Sequence, residues 1–298
     1  MEQLPVVLVV EGAKEACHTV CQCLTGLYRV LTVDTAEQCL SRALEKPELI
    51  LLSTAIPNNA GLSLFQQLKS NPDTQDIPIL SLVNSDDEGV ITLEDGAADF
   101  LCKPIQAVTL KARVATQIQL QWQTNRLNFL ALHDQLTGLY NRHFLVERAN
   151  QSLSKMQRHQ TALSIVLLDL DGFRHINDFN GHHVGDLVLQ IVSKLLQESF
   201  RKEDVVARIG GEEFVILMES GISEARDKTE SVRQLLQNLK PLGLPLTGSF
   251  GIVNVNADNL DFSHLMLLAD EAVYKAKADG RNCIVCYDKG HYLSQNRH

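Results

Sequence analysis

The residues best suited to chemistry stand at a predicted β-turn, where two glycines are followed by two glutamates, Gly210-Gly211-Glu212-Glu213. Apolar and β-branched residues flank the turn at 205–209 and 214–218, which predicts the two strands of a hairpin. Glycine has no Cβ, so the chain can turn tightly here and approach a ligand closely. Adjacent carboxylates repel each other, and a divalent cation such as Mg²⁺ would relieve that repulsion. An ordinary solvated acidic hairpin is the alternative at this point.

A second acidic pair, Asp169 and Asp171, follows the apolar stretch 162–168, which predicts a buried strand. If this strand neighbours the hairpin, Asp169 faces the glutamates across the sheet. Phosphoryl and nucleotidyl transfer need such a cluster, because divalent ions held by carboxylates bridge phosphate oxygens and lower the pKa of a hydroxyl.

The composition indicates a globular protein with room for two domains, since the chain has 298 residues, of which 45% are hydrophobic and 21% charged. A net charge of −9 argues against a nucleic-acid-binding protein. No apolar run approaches the ~18–20 residues that span a bilayer, and the N-terminus lacks a secretory signal layout, so we expect a cytoplasmic protein without a membrane segment. The seven cysteines cannot all pair within the chain.

Apolar strand patterns alternate with helix patterns in the first hundred residues. The strands are predicted at 6–10, 28–33, 49–52, 77–83 and 98–101, and the helices at 12–24, 35–46, 61–70 and 86–95. Continuous apolar strands separated by amphipathic helices predict a doubly wound, five-stranded parallel sheet. Its ligand crevice would lie at the carboxyl ends of the strands.

A long glutamine-rich helix at 105–133 is predicted to overlap the end of the first domain, 1–120, and to lead into a second domain, 134–298. A coiled-coil seam and a simple spacer helix both remain open for it, because no single heptad frame collects its apolar residues. In the second domain, further helices are predicted at 141–158, 184–200, 223–239 and 262–279, and further strands at 246–255 and 283–287. The hairpin makes this an α/β domain with a mainly antiparallel sheet.

The second domain resembles the GGDEF family of diguanylate cyclases, which has a palm-like nucleotidyl-cyclase fold. The resemblance rests on separated motifs in the family's order: 134–142 (DQLTGLYNR), 169–178 (DLDGFRHIND), 181–186 (GHHVGD), 208–214 (RIGGEEF), 247–251 (TGSFG) and 277–282 (KADGRN). It implies that two GTP molecules are condensed into cyclic di-GMP and two pyrophosphates across a homodimer. It also implies two Mg²⁺ or Mn²⁺ ions in each GTP half-site.

The resemblance implies roles for individual residues. The catalytic residues would be Glu213, Glu212 and Asp169, and the metal ligands would be Asp169, the Leu170 carbonyl, Glu212 and Glu213. Glu213 would act as a ligand or as proton acceptor for the 3′-hydroxyl, and which glutamate takes the proton stays open. Guanine would be read by Asn177 and Asp186, since a carboxylate accepts from the ring N–H and the exocyclic amine.

The remaining substrate contacts implied by the resemblance are basic or belong to the motif after the strand: Phe173, Arg174, Arg208, Lys277 and Arg281. Arg174 stands where the family usually has lysine, and Gly172 where a bulkier residue is more common. Arg201 and Asp204, upstream of the hairpin, resemble the family's inhibitory site for cyclic di-GMP. A charged surface loop is the alternative reading of that pair.

The first domain resembles a two-component receiver over 4–120, on the alternation of five strands with helices and on 53–61 (STAIPNNAG), 96–100 (GAADF) and Lys103-Pro104. Ser53 replaces the phospho-acceptor aspartate, Glu11 keeps one acid of the metal-binding pair, and Val83 replaces a hydroxyl residue. Lys103 is retained. Aspartyl phosphorylation needs a carboxylate nucleophile and a metal site. We therefore expect a degenerate receiver that is not phosphorylated and serves dimerisation or binding of a protein partner.

Two functions from different classes compete. The first is an active diguanylate cyclase, and the second is a catalytically inactive protein that binds cyclic di-GMP as a sensor or scaffold. The intact turn glycines, the two glutamates and Asp169 favour the cyclase.

Overall fold

The computed structural model describes residues 4–56, 60–159, 161–256 and 260–294, with side chains from Leu64 onward in the helix that begins at Ala60. Residues 57–59, within the motif 53–61, lie outside the described residues. The chain forms two compact units, Met1–Leu127 and Asn128–His298. In the described part of the chain, no helix combines the length and the apolarity needed to cross a membrane.

The first unit is the predicted parallel α/β sandwich. Its strands are β1 Val6–Val10, β2 Arg29–Val33, β3 Leu49–Ser53, β4 Ile79–Val83 and β5 Asp99–Cys102. Its helices are α1 Lys14–Leu24, α2 Ala36–Ala43, α3 Ala60–Ser70, α4 Asp86–Glu94 and α5 Ala107–Leu132. All strand pairs are parallel, in the order β2-β1-β3-β4-β5, which confirms the doubly wound sheet. Both faces are covered, and β3 and β4 are therefore buried along their whole length.

The first half of helix α5 packs against the first unit, whereas large apolar residues farther along it are exposed. Leu110, Val114 and Ile118 recur every four residues and pack into the core of the first unit. Farther along, Trp122 and Leu127 are exposed. The helix then runs on into the second unit, where it ends at Leu132.

The second unit is built on a six-stranded sheet. Its strands are β6 Ser164–Asp171, β7 Val205–Gly210, β8 Glu213–Met218, β9 Thr247–Asn254, β10 Ile284–Asp288 and β11 His291–Ser294. Its helices are α6 Arg142–His159, α7 Phe173–Asn180, α8 His182–Ser199, α9 Ile222–Leu239 and α10 Phe262–Ala278. The strand order is β11-β10-β9-β6-β8-β7, and only β9 and β10 pair in parallel, so the mainly antiparallel sheet is confirmed.

Three elements of this unit were missing from the sequence prediction: α7, β11 and a single 3-10 turn at Pro241–Gly243. Helix α7 has only eight residues, and the buried pair Phe173 and Ile176 is too short a pattern to establish a period. Strand β11 is a four-residue edge strand with mostly exposed side chains, so it has no apolar alternation. Strand β6 also extends beyond the predicted 162–168 and includes Asp169.

Helix α10 lies close against β9 at Gly251. A Cβ added there would stand 2.3 Å from the Ala269 carbonyl oxygen and 3.0 Å from the Val273 amide nitrogen. Both atoms belong to the helix backbone, which cannot step aside as a flexible side chain would. The missing side chain therefore sets the distance between α10 and the sheet, and with it the position of Lys277 near the end of the helix.

We predict that Gly251→Ala lowers the free energy of unfolding by about 2 kcal/mol, because the added methyl overpacks a backbone contact. Urea denaturation of the full chain measures this. Gly221→Ala is the matched control, since the nearest atom to its added Cβ is 4.0 Å away. Equal stability of the two variants would show that α10 is free to shift.

Candidate active site

The register between β6 and β8 brings the separated acids together. Asp169 pairs with Glu213 across the two antiparallel strands, and the Leu170 amide donates a hydrogen bond to the Glu212 carbonyl at 3.3 Å. Asp169 is buried, whereas Glu212 and Glu213 are half-buried. Asp169, Glu212 and Glu213 are therefore neighbours where the inner strands β6 and β8 meet the turn. We call this group of carboxylates the acidic edge.

The turn itself is braced by Arg208. Its guanidinium donates two hydrogen bonds to the Gly211 carbonyl, at 3.0 and 2.9 Å, and a third to the Asp134 carboxylate at 3.0 Å. Burial acts to raise the pKa of Asp134, but hydrogen bonds from Thr137 and Arg208 hold it below its ordinary value. Arg208, expected at the triphosphate, is in this structure engaged with the turn.

The same network reaches the end of α5. Asp134 stands two residues after the end of that helix, and the Tyr140 amide donates to the Val206 carbonyl while its own carbonyl accepts from the Arg208 amide. Four aromatic rings stack along this junction with centroid separations of 4.6, 4.7 and 4.0 Å: Phe129, His133, Tyr140 and Phe144. The last turn of α5 is thus fixed to the strand that carries the hairpin.

Lys277 is the counter-ion of the acidic edge. Its ammonium lies 2.8 Å from Asp169 Oδ2. Burial raises the pKa of Asp169, and the Lys277 hydrogen bond and charge offset part of that rise. Burial also raises the pKa of Glu213, followed by the negative charges of Asp169, Asp270 and Glu212. The edge is therefore rich in negative charge even with Lys277 in place.

Asp270 is an acid of this cluster that the sequence analysis missed. It is an exposed residue of α10, and its charge raises the pKa of both Asp169 and Glu213. The sequence could have indicated its position beside Lys277, because Asp270 precedes Lys277 by seven residues, which is two helical turns on the same face.

Asp171, the second acid of the strand, has a structural role. Its two carboxylate oxygens accept hydrogen bonds from the Thr247 hydroxyl at 2.8 Å, the Ser249 hydroxyl at 2.7 Å and the Asn282 amide at 3.0 Å. These contacts tie β6 to β9 and to the loop after α10. That loop carries Arg281, an exposed residue with a positive φ of 62°.

The expected guanine-reading pair lies on two adjacent helices, with Asn177 on α7 and Asp186 on α8. A Cβ added at Gly185 would stand 1.9 Å from Asn177 Oδ1 and 3.2 Å from the Phe173 ring. The absence of a side chain at Gly185 therefore lets the Asn177 amide lie over the start of α8, next to Asp186. Phe173 is buried in the core and anchors α7.

Two further residues from the predicted set are at the surface. The Arg174 side chain is 90% exposed, and its Nε lies 3.8 Å from Asp178 on the same helix. Arg201 donates from its amide to Asp204 at 3.0 Å and from its guanidinium to Glu224 at 2.9 Å. Arg201 and Asp204 both border a cavity of about 300 Å³ that α9 also lines. Burial raises the pKa of Asp204.

The receiver residues form a closed ion pair. The Lys103 ammonium donates to Glu11 Oε2 at 2.6 Å and to the Ser53 hydroxyl at 2.9 Å, where β1, β3 and β5 end. Glu11, Ser53 and Val83 are buried. The retained lysine therefore bonds directly to the one retained acid and to the serine.

The acidic edge fits a hard divalent cation. It offers carboxylates and backbone carbonyls, which are the ligands Mg²⁺ prefers, and its charge is only partly neutralised. Among the described residues, however, no three histidine, cysteine or acidic side chains are already arranged to hold a metal ion. Asp169, the Leu170 carbonyl, Glu212 and Glu213 therefore stay the predicted ligands, and Lys277 bonds to one of them in this structure.

Comparison with known proteins agrees with the motifs of the second domain and with those of the first. The family model described as "Diguanylate cyclase, GGDEF domain" matches residues 131–283, about half of the chain. The chain belongs to the GGDEF family. The model of the response regulator receiver domain matches residues 7–115.

One relative is the response regulator PleD of Caulobacter vibrioides, 32% identical over 296 residues. The match covers 94% of this chain but 65% of PleD, so the chain spans less than two thirds of that relative's length.

Two solved structures share the fold. Diguanylate cyclase SiaD of Pseudomonas aeruginosa, in complex with its activator SiaC, matches with a TM-score of 0.51 and 29% identity, over 68% of this chain and 78% of that chain. The coiled coil and GGDEF domain of Caulobacter crescentus DgcB, in complex with c-di-GMP, has a TM-score of 0.54 over 60% of this chain and 100% of that one. At 24% identity it shows the fold alone.

We predict that Lys103→Met destabilises the receiver unit by roughly 3 kcal/mol, because it leaves the Glu11 carboxylate buried without its cation. Urea denaturation followed by Trp122, the single tryptophan, measures this. Adding Glu11→Gln should recover most of the loss, and Lys111→Met, on an exposed part of α5, should have little effect. Equal stability of Lys103→Met and the parent would refute a structural ion pair.

Proposed function

We propose that the protein is an active diguanylate cyclase, which condenses two GTP molecules into cyclic di-GMP and releases two pyrophosphates. The observation that carries this proposal is the pairing of Asp169 with Glu213 beside an intact Gly-Gly-Glu-Glu turn. A protein that only bound cyclic di-GMP would not need this crowded acidic edge, which costs stability through charge repulsion.

In this mechanism the acids act on the 3′-hydroxyl and the phosphates. Bound divalent ions, two in each half-site, would neutralise phosphate charge and acidify the hydroxyl. Asp169 and Glu212 would hold them, together with the Leu170 carbonyl. Glu213 serves as a further ligand or accepts the hydroxyl proton, and the burial that raises its pKa makes its carboxylate a better proton acceptor.

The nucleotide is oriented at both ends. Asn177 and Asp186 bond guanine through an amide and a carboxylate, which discriminates against adenine. Lys277 and Arg281 contact the triphosphate, and Arg174, whose side chain is exposed, is a further proposed substrate contact. Arg208 supports this end indirectly, since its guanidinium holds the Gly211 carbonyl and so the conformation of the turn.

One catalytic domain binds one GTP, so a second copy must present the other nucleotide across a two-fold axis. The proposed active form is therefore a homodimer. The receiver unit controls it by dimerisation or by binding a protein partner rather than by phosphorylation, which the Lys103 ion pair supports. SiaD, a structural relative, is itself bound to an activator protein.

We expect Glu213→Gln to lose cyclic di-GMP synthesis by roughly 10²-fold or more, because the variant can neither accept a proton nor ligate a metal strongly. The same change should not lower the melting temperature, since it removes a repelled charge. Liquid chromatography of the products from GTP and Mg²⁺ gives the rate. Glu219→Gln is the matched control, as Glu219 is exposed and pairs with Lys155.

If the parent chain made no cyclic di-GMP even when dimerised by a fused leucine zipper, the inactive sensor would be the correct function. Binding of cyclic di-GMP without turnover would support that outcome directly.

The product is proposed to inhibit the enzyme at Arg201 and Asp204. Arginine bonds or stacks on guanine, and the aspartate accepts its N–H groups. Arg201→Ala should raise the inhibition constant for cyclic di-GMP by at least tenfold, at an initial rate close to that of the parent. Lys194→Ala, a change of equal charge at an exposed site, should leave inhibition intact. Unchanged inhibition in Arg201→Ala would remove the assignment.

A further inference from the structure

The position of Lys277 poses a conflict within the proposed site. Its ammonium lies 2.8 Å from Asp169 Oδ2, although Asp169 is the expected metal ligand. Mg²⁺ binds carboxylate oxygen at ~2.0–2.1 Å and demands near-ideal octahedral geometry. An ammonium and a divalent ion beside one carboxylate would repel each other at short range.

The acidic edge contains more charge than Lys277 can balance. The negative charges of Asp169, Asp270 and Glu212 raise the pKa of Glu213, whereas the charge of Lys277 lowers it. With Lys277 removed and no cation in its place, the carboxylates would repel one another across β6 and β8. A lysine on Asp169 thus stabilises the nucleotide-free protein.

Lys277 is also able to leave. Its side chain is 37% exposed, compared with 13% for Asp169, and it stands in the last turn of α10. A lysine has a flexible four-carbon stem and a single point charge, so its ammonium can move to a nearby anion without moving the helix. The incoming triphosphate is such an anion.

We infer that Lys277 occupies the metal position of the nucleotide-free protein, and that metal binding requires its transfer from Asp169 to the phosphates of GTP. This inference rests on the proposed function and assigns Lys277 a second role at the same site. Metal and nucleotide then bind cooperatively, because the phosphates hold the ammonium that the metal displaces. Without nucleotide, Lys277 competes with the metal and keeps its affinity low.

The test is Mn²⁺ binding to the full chain without nucleotide, measured by the electron paramagnetic resonance signal of free Mn²⁺. Lys277→Met should lower the dissociation constant at least tenfold, and Lys277→Gln should do the same if the methionine variant folds poorly. Lys277→Arg keeps the cation and should retain the weak affinity of the parent.

Lys275→Met is the matched control. It removes the same charge from the same helix, but Lys275 lies over the Tyr292 ring, 4.4 Å from its centroid, rather than at Asp169. Its Mn²⁺ affinity should match that of the parent. Adding Asp169→Asn to Lys277→Met should abolish the gain, which locates the ion at this carboxylate.

A second experiment repeats the Mn²⁺ binding measurement in the presence of a non-hydrolysable GTP analogue. The analogue should raise the Mn²⁺ affinity of the parent more than that of Lys277→Met, because only the parent has an ammonium to relocate. Affinities of Lys277→Met and Lys277→Gln equal to or weaker than that of the parent would overturn the inference. Tighter Mn²⁺ binding in these variants, together with no cyclic di-GMP from the parent, would instead refute the proposed function and leave the exchange intact.

Discussion

The antiparallel pairing of β6 with β8 is the constraint on which the rest of the second unit depends. It sets Asp169 opposite Glu213 and concentrates negative charge at one edge of the sheet. Like charges at such an edge are unfavourable unless cations or hydrogen bonds offset them. The neighbouring elements supply these: Lys277 from α10 reaches Asp169, and Arg208 from β7 holds the carbonyl of the turn. Close contact of α10 with β9 at Gly251 fixes where Lys277 can stand.

The receiver unit also contains a buried negative charge, and a single lysine balances it. Among the described residues of its crevice, Lys103 donates hydrogen bonds both to the buried Glu11 carboxylate and to the Ser53 hydroxyl. Such a closed pair needs neither a metal nor a phosphoryl group to be neutral. The receiver fold is therefore retained around a crevice whose charges already balance, and α5 runs from this unit into the second one.

Much of this could be predicted from sequence because the signals were local or periodic. Continuous apolar strands indicated the parallel sheet, and the Gly-Gly turn indicated the β7–β8 hairpin. The elements that were not predicted, such as the eight-residue α7 and the edge strand β11, have no periodic pattern of apolar residues. Roles that depend on tertiary contacts also escaped. The structural role of Asp171, which bonds Thr247, Ser249 and Asn282, had no signal in the sequence, and the charge of Asp270 on the acidic edge follows from packing of α10.

The central claim is that the strand register builds a divalent-metal site for GTP between Asp169 and the hairpin glutamates. A crystal structure of the chain with Mn²⁺ and a non-hydrolysable GTP analogue, with anomalous data collected near the manganese edge, tests it most directly. We expect anomalous peaks within ~2.0–2.3 Å of an Asp169 oxygen and beside Glu212 or Glu213, with the Lys277 ammonium on the phosphates. Ordered nucleotide with manganese elsewhere, and Lys277 still bonded to Asp169, would contradict it.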